Sequence, residues 1–255
     1  YNMKNIFRWP PPYVILSVLI FAGYYDCFTH RYLLDDHLVL FGESGVANKS
    51  FLQLFTINQE SFYRPIGHIV LWMSFHLFHA PFTPTGYHLI NFVLFTAVVC
   101  LFYKIVLDLT AAPELAFCSS CLYAIHPING MHINYITANV ITLSVLFQQI
   151  SILLFIDQRK RDGKGTTLSL FFFLLSLLSH EMSILLPVYV FIITYFMYRS
   201  DIKYTLILCR PYILLPVLFL LFRMYFHPIL NPFKPVFPVV MYLGTYFVAG
   251  CELIG

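Results

Sequence analysis

Long apolar runs separated by short polar turns set the pattern of this chain. They cover residues 12–28, 86–107, 113–125, 133–156, 166–179, 182–199 and 204–226, and a partial run covers 236–250. A helix needs about 20 mainly apolar residues to cross the hydrocarbon core of a bilayer. A single run is compatible with a buried helix of a soluble protein, but so many in one chain are not. The pattern predicts an all-α polytopic membrane protein with about seven crossings and a partial eighth.

The composition supports this class of protein. Of the 255 residues, 59% are hydrophobic and 11% are charged, whereas a soluble domain carries roughly 25% charged residues. The net charge of +3 comes without a basic stripe on a soluble face, so nucleic acid is not an expected partner. Cys118 and Cys121 have a CxxC spacing but lie in an apolar run, where small packing residues are expected. Because the chain opens on Tyr1 and stops within an apolar run, we expect it to be part of a longer protein.

The positions of the basic residues predict how the apolar runs are oriented across the membrane. The densest basic segment lies between Asp157 and Lys164, and basic residues are enriched in cytoplasmic loops. Lys4 and Arg8 precede the first run, so we expect a cytoplasmic N-terminus as well. An even number of crossings must then separate the N-terminus from the basic segment. The runs 12–28, 86–107, 113–125 and 133–156 supply that even number.

The apolar segment 62–79 would upset this count if it also crossed the membrane. It is interrupted by polar residues, namely Arg64, His68, Ser74, His76 and His79. Such a mixture, with aromatic residues between, is typical of a helix that lies in the membrane interface. We therefore expect 29–85 to be an outer loop that contains an interfacial helix. This loop and the turns after residues 125 and 179 are predicted to share the outer face.

The ionisable residues of this outer face are the candidates for chemistry. Asp35 and Asp36 are adjacent carboxylates, and Glu181 stands between two apolar helices. Ionisable groups at membrane depth are expensive and are usually functional. A carboxylate here suits a general base or a ligand of a divalent metal ion, although a solvated turn remains the alternative for the acidic pair. His126 and His132 are candidate metal ligands, but their spacing matches no known signature, and capping of a Pro-broken turn is the alternative.

Several short motifs follow one another in a recognisable order. An acidic pair in the first outer loop precedes Tyr63-Arg64-Pro65, and Gly86-Tyr-His-Leu-Ile-Asn91 opens the next run. His126-Pro127 follows a short helix, and Ser179-His180-Glu181 forms a later turn. In this order the chain, over about residues 10–200, resembles the membrane part of the GT-C glycosyltransferases. The branch it resembles is the protein O-mannosyltransferase-like proteins that carry tetratricopeptide repeats, with their bacterial relatives.

The resemblance implies a fold and an activity. The fold would be a GT-C-like bundle of transmembrane helices with an outer juxtamembrane helix. The enzyme would move a sugar from a polyprenyl-phosphate carrier to a hydroxyl of a protein or glycan acceptor, on the outer or lumenal side. By position, Asp35 would be the catalytic base and Asp36 its neighbour that positions substrate. Donor-phosphate binding would fall to Arg64, His126, His180 and Glu181, with Lys49 as a further candidate, and a divalent metal ion is a possible cofactor.

The chain departs from the pattern of this family at two places. Where the family often has an Arg/Asp pair, this chain has the uncharged stretch Thr137-Ala138-Asn139-Val140, and His180 replaces a common lysine. Two alternatives to an active transferase therefore remain. One is a catalytically silent subunit with a structural or assembly role among other membrane subunits; the other is a transporter of lipid-linked substrates. In each case we expect a multi-pass protein among the lipids of the endoplasmic reticulum or a bacterial inner membrane.

Overall fold

The structure is a computed structural model that describes residues 11–43, 45–55, 63–78, 84–160 and 166–226. The described residues form helices, turns and loops and contain no strand. The predicted partial run 236–250, together with Lys4, Arg8, Arg161 and Lys164, lies outside them. The chain divides into two compact units, Tyr1–Leu218 and Phe219–Gly255. The helix bounds below are given for the whole chain, and the contacts are those of the first unit.

Ten α-helices are present in the described ranges of the whole chain. They are α1 Pro12–Tyr24, α2 Asp36–Phe41, α3 Pro65–Phe78, α4 Thr85–Thr110, α5 Pro113–Ile125, α6 Gly130–Asn134, α7 Asn139–Lys160, α8 Thr166–Ser179, α9 Leu186–Ile192 and α10 Ile202–Phe226. Short 3-10 helices link them, and the π-helix Ile193–Met197 follows α9.

Within the ranges that the structure describes, four helical segments are long and apolar enough to cross a bilayer. They are Pro12–Thr29, Thr85–Thr110, Ile136–Lys160 and Ile202–Phe222, while the segments 65–78, 166–179 and 181–197 are apolar but shorter. A chain built of such helices is an all-α polytopic membrane protein, as the apolar pattern predicts.

One helix begins later than its apolar run. The run 133–156 predicts a single helix, but α7 begins at Asn139 and is preceded by α6, by Tyr135 in an extended conformation and by the 3-10 helix Ile136–Ala138. The break includes Asn134, Thr137 and Asn139, but the buried apolar side chains of Ile133, Ile136 and Val140 continue the apolar run across it. Hydropathy therefore cannot reveal it.

Contacts between helix ends show which of these ends lie together. The Tyr24 hydroxyl at the end of α1 donates to the Ala124 carbonyl at the end of α5 (3.1 Å). The Thr85 hydroxyl at the start of α4 donates to the Phe28 carbonyl just after α1 (3.1 Å). The start of α4 also lies beside the segment that precedes α7, as described below. We call this end of the bundle the loop end.

The opposite end of the bundle is rich in basic residues. Asp108, near the end of α4, lies 2.7 Å from Lys104 Nζ and 3.2 Å from Lys160 Nζ at the end of α7. The Arg159 guanidinium lies over the rings of Tyr198 and Tyr204, 5.2 and 5.3 Å from their centroids. We call this the basic end. Because both helices run from the loop end to the basic end, α4 and α7 point in the same direction.

Serines hold α7 and α8 close together. The Ser151 hydroxyl donates to the Ser169 carbonyl and the Ser169 hydroxyl to the Ser151 carbonyl, each at 2.8 Å. Nearer the loop end, the Ser176 hydroxyl donates to the Ser144 carbonyl (2.8 Å). Small polar residues let two backbones approach and supply hydrogen bonds inside a membrane bundle. The packing fixes α8, and with it the turn that follows Ser179.

Helix α3 lies across the loop end of the bundle. Gly67, near the start of α3, packs against Val140 at the start of α7 and the Ser179 carbonyl at the end of α8. Phe78, the last residue of α3, packs on Gly86 at the start of α4. Since the starts of α4 and α7 are both at the loop end, the two ends of α3 contact the same end of the bundle.

Replacing Gly67 with alanine is expected to loosen α3 from the bundle. A Cβ at this position would lie 2.7 Å from Val140 Cγ1 and 3.1 Å from the Ser179 carbonyl oxygen, and overpacking of this kind costs about 1–3 kcal/mol. Gly23→Ala is the matched control, because a Cβ there meets no atom within 4 Å. Thermal unfolding in detergent should show a lower midpoint for Gly67→Ala alone. Equal midpoints for the two variants would contradict the close packing of α3.

Candidate active site

The acidic pair follows a sharp turn of the chain at the loop end. Leu34 adopts a left-handed backbone with φ of 50°, which costs a leucine roughly 1–2 kcal/mol. The turn places Asp35 at the N-cap of α2 and Asp36 in its first turn. Strain of this kind persists where surrounding contacts hold it in place. Here those contacts come from Asp36.

Asp36 is fully buried and is held by backbone donors from two segments. Its Oδ2 accepts from the backbone N–H of Leu33 (3.0 Å) and of Ile136 (3.2 Å), and its Oδ1 accepts from that of Thr137 (2.8 Å). Burial raises the pKa of Asp36, whereas the backbone hydrogen bonds from Leu33, Thr137 and Ile136 oppose that rise. This side chain therefore ties the outer loop to the break before α7.

Two buried side chains of α4 hold the other side of the same break. Asn91 Nδ2 donates to the carbonyls of Tyr135 (3.0 Å) and Ile136 (3.3 Å), and His88 Nδ1 lies 3.1 Å from the Ile133 carbonyl oxygen. His88 and Asn91 are both fully buried. These contacts supply partners for backbone groups that the interrupted helix leaves unpaired.

Asp35 differs from its neighbour because it is partly exposed. Its Oδ1 accepts a hydrogen bond from the hydroxyl of Tyr135, which the break before α7 presents to it. Its side chain makes no hydrogen bond that caps α2. Of the two carboxylates, Asp35 is the one that an external molecule can reach. The residues predicted from the sequence do not include Tyr135. The one feature that could have identified it is its hydroxyl group, close to the predicted outer turn after residue 125.

Arg64, directly before α3, and Glu181, in the turn after α8, form a bidentate ion pair. Arg64 Nε donates to Glu181 Oε2 (2.9 Å), and Arg64 Nη2 donates to Oε1 (2.7 Å). Burial would raise the pKa of Glu181, but the Arg64 guanidinium overrides it and holds that pKa at about 2. Such paired hydrogen bonds give both strength and a fixed geometry. The pair clamps the start of α3 to the bundle.

Replacing Glu181 with glutamine is expected to weaken this clamp and to remove a pH dependence. The folded pKa lies below the ordinary value of 4.5, so the pair contributes stability fully above that value and loses it as the pH falls toward about 2. We expect a loss of about 1.5–3 kcal/mol at neutral pH. Unfolding midpoints in detergent across this pH window test it, with exposed Glu114→Gln as the control. A pH profile shared by wild type and Glu181→Gln would contradict the clamp.

The two histidines predicted to bind donor phosphate both cap turns. His126 Nδ1 accepts from the backbone N–H of Ile128 (3.3 Å), and its side chain is exposed. His180 Nδ1 accepts from the backbone N–H of Met182 (3.2 Å), and its side chain is buried. His132, a third candidate, lies 3.0 Å from the Thr142 hydroxyl through Nδ1. These contacts bring none of the three onto the acidic pair.

A small basic cluster lies beside the clamp and was only partly anticipated. Burial, together with the nearby positive charges of Lys49 and Arg64, lowers the pKa of His68 to about 4. Burial also lowers the pKa of Lys49, whose carbonyl oxygen accepts from Trp72 Nε1 (2.9 Å). In the described part of the chain, Lys49 Nζ makes no ion pair. Lys49 and Arg64 are thus the two basic side chains whose charge acts on His68.

A divalent metal ion finds no ready set of ligands in the described ranges. No group of three or more His, Cys, Asp or Glu side chains converges there. Both oxygens of Asp36 already accept backbone hydrogen bonds.

The fold defines an integral membrane protein in which the buried side chains of Asp36, His88 and Asn91 lie at one end of a helix bundle. Comparison with known proteins adds one relative, a protein O-mannosyl-transferase of Caenorhabditis elegans. The two sequences are 25% identical over 186 residues, which covers 68% of this chain and 26% of the relative. The chain thus spans about a quarter of the length of that relative. No protein-family model and no solved structure matches the chain.

Proposed function

We propose that this chain is the membrane part of a glycosyltransferase of the GT-C type, which moves a sugar from a polyprenyl-phosphate carrier to an acceptor hydroxyl. The observation that carries the proposal is Asp35, a partly exposed carboxylate at the loop end of a membrane bundle, which accepts a hydrogen bond from the Tyr135 hydroxyl. The similarity to a protein O-mannosyl-transferase supports mannose as the sugar and a protein hydroxyl as the acceptor. A carboxylate at a membrane surface can meet both a lipid-anchored donor and a water-borne acceptor.

The proposed reaction needs one base and one anion site. As the acceptor oxygen attacks the anomeric carbon, its proton passes to Asp35. The bond between that carbon and the phosphate oxygen breaks, and its electron pair stays on the polyprenyl phosphate. Lys49 and Arg64 stabilise the departing phosphate by their positive charge.

The structure suggests a division of roles among the residues predicted from the sequence. Asp36 acts from a buried position and holds the loop in place rather than touching substrate. Glu181 orients Arg64, and His180 caps the turn that carries Glu181. His126 serves as a cap and not as a phosphate ligand. Lys49 joins Arg64 in the anion site, because the positive charges of both side chains act on His68.

We further propose that the loop end faces the outer or lumenal side and that the N-terminus is cytoplasmic. Lys104, Arg159 and Lys160 then lie on the cytoplasmic side at the basic end, as the enrichment of basic residues in cytoplasmic loops requires. With both of its ends at the loop end, α3 would lie in the outer interface of the endoplasmic reticulum or a bacterial inner membrane.

Transfer from a defined lipid donor tests the proposal. The full-length protein in its membrane is incubated with dolichyl-phosphate-linked mannose, radiolabelled in the sugar, and a peptide rich in serine and threonine. We expect label on the peptide and free dolichyl phosphate in equal amounts. A nucleotide-activated mannose serves as the control and should give no label. Absence of transfer from the lipid donor, by protein that is folded, would contradict the proposal.

A catalytically silent subunit is the second candidate function. Two observations favour it: Glu181 offsets the charge of Arg64, and the stretch 137–140 is buried and uncharged. The same experiment separates the two functions. A silent subunit would purify with stable membrane partners and would transfer no sugar, whereas the transferase labels the peptide.

A further inference from the structure

The break before α7 brings Tyr135 into contact with Asp35, and the reaction proposed above assigns no role to this contact. The Tyr135 hydroxyl donates to Asp35 Oδ1. We propose that Tyr135 is the positioning residue of the reaction, which holds the Asp35 carboxylate in the one orientation that can take the proton of the acceptor. This inference rests on the proposed function, in which Asp35 is the base.

The backbone around Tyr135 is fixed from both sides by buried polar side chains. Asn91 Nδ2 donates to the Tyr135 carbonyl (3.0 Å), and the next N–H, that of Ile136, donates to Asp36 Oδ2 (3.2 Å). Asp36 and Asn91 are both fully buried. Tyr135 itself is extended, with φ of −97° and ψ of 111°, so it can continue neither the helix before it nor the one after it. Its side chain is directed by this scaffold and not by helical packing.

Such a scaffold is expensive for a membrane protein. Polar groups inside a bundle cost free energy unless they are satisfied, and an unbroken helix from 133 onward would need no partners from α2 or α4. The chain instead interrupts an apolar run and buries Asp36, His88 and Asn91 to complete the hydrogen bonds of the break. This arrangement places the hydroxyl of Tyr135 at the carboxylate of Asp35.

The contact suits an orienting role. A carboxylate has two oxygens, and Tyr135 occupies Oδ1 of Asp35. Oδ2 is then directed to one side, where the acceptor hydroxyl can approach. Without the tyrosine hydroxyl, the carboxylate can rotate about its terminal bond, and the fraction of time it spends in the reactive orientation falls. Misplacement of a catalytic group by a small distance costs up to about 10²-fold in rate.

Tyr135→Phe, compared with Tyr87→Phe, tests this role. Both changes delete one hydroxyl at the loop end, but the Tyr87 hydroxyl is buried and has no hydrogen-bond partner in the described part of the chain. The full-length variants are assayed in membranes with dolichyl-phosphate-linked mannose and the hydroxyl-rich peptide. Rates are normalised to the folded fraction seen by size-exclusion chromatography in detergent. Tyr135→Phe should lower kcat about 10- to 100-fold with KM for donor and peptide within about twofold, and Tyr87→Phe should match wild type.

The outcomes separate this inference from the function on which it rests. If Asp35→Asn abolishes transfer while Tyr135→Phe matches Tyr87→Phe, Asp35 remains the base and the inference about Tyr135 is wrong. A higher KM at unchanged kcat would also overturn it, because the hydroxyl would then bind substrate. Loss of folded protein in Tyr135→Phe overturns it too, since the role would be structural. If Asp35→Asn transfers at the wild-type rate, the base itself is wrongly assigned.

Discussion

Replacing Asp35 with asparagine is expected to lower the rate of sugar transfer by about 10²- to 10⁴-fold, the usual contribution of a general base. Asparagine has the size of aspartate and keeps an oxygen for the Tyr135 hydroxyl, but it cannot accept the proton of an alcohol. Asp35 is partly exposed, and no capping hydrogen bond to α2 depends on it. The variant should therefore fold normally and lose kcat rather than affinity for the donor.

The control for this variant is Glu43→Gln, an exposed carboxylate a few residues along the same loop. Initial rates of mannose transfer and the unfolding midpoint in detergent are measured for both variants. Glu43→Gln should behave as wild type in each. Transfer by Asp35→Asn within about twofold of wild type, where a base is worth at least 10²-fold, would show that Asp35 is not the base.

The helices of this protein can be predicted from local patterns in the sequence. Apolar length alone predicts Thr85–Thr110 and most of Asn139–Lys160, because each side chain need only suit its own helix. The break before α7 is different. It contains Asn134, Thr137 and Asn139 among apolar residues, but the partners that hold it lie about a hundred residues away in Asp36 and forty-five away in Asn91. A local pattern carries no trace of such partners.

In the candidate site, too, the sequence identifies the residues but not the partners with which they pair. Asp35, Asp36, Arg64 and Glu181 are conspicuous in the sequence because ionisable groups are rare in so apolar a chain. The pairing of Arg64 with Glu181 spans 117 positions and is not visible before the chain folds. It adds a pairing with Arg64 to the donor-binding role that the resemblance implies for Glu181.

The histidines show that the sequence can single out a residue without revealing its contacts. Each of His126 and His180 follows the end of a helix and accepts the backbone N–H two residues further on. That is the behaviour of a turn cap, the alternative that the Pro-broken turn at His126 already suggested. Histidine beside proline or glutamate is compatible with a cap and with a ligand, so residue type alone does not decide between them.

Replacing Asp36 with alanine is expected to prevent stable folding, the largest structural effect we predict. The change leaves the buried N–H groups of Leu33, Ile136 and Thr137 without their acceptor. Each unsatisfied group costs about 1–3 kcal/mol, so the three together cost at least about 3 kcal/mol. That is a large part of the total stability of a typical protein, about 5–15 kcal/mol.

Asparagine at position 36 should give an intermediate effect, because the two carboxylate oxygens have unequal tasks. One side-chain oxygen can still accept from Thr137, but an amide nitrogen then faces the N–H groups of Leu33 and Ile136, which Oδ2 of the aspartate satisfies. The reverse orientation of the amide leaves one N–H unsatisfied instead of two. We therefore expect the yield of folded protein to fall in the order wild type, Asp36→Asn, Asp36→Ala.

Asp201→Ala is the matched control for these variants. Asp201 also accepts a backbone N–H, that of Lys203 (3.0 Å), but it does so at an exposed helix start. Water replaces the lost acceptor there, so the loss should be about 0.5–2 kcal/mol. Monodisperse elution in detergent and the unfolding midpoint report the outcome. If Asp36→Ala is no less stable than Asp201→Ala, Asp36 does not hold the loop to the break, and the position of Asp35 must depend on other contacts.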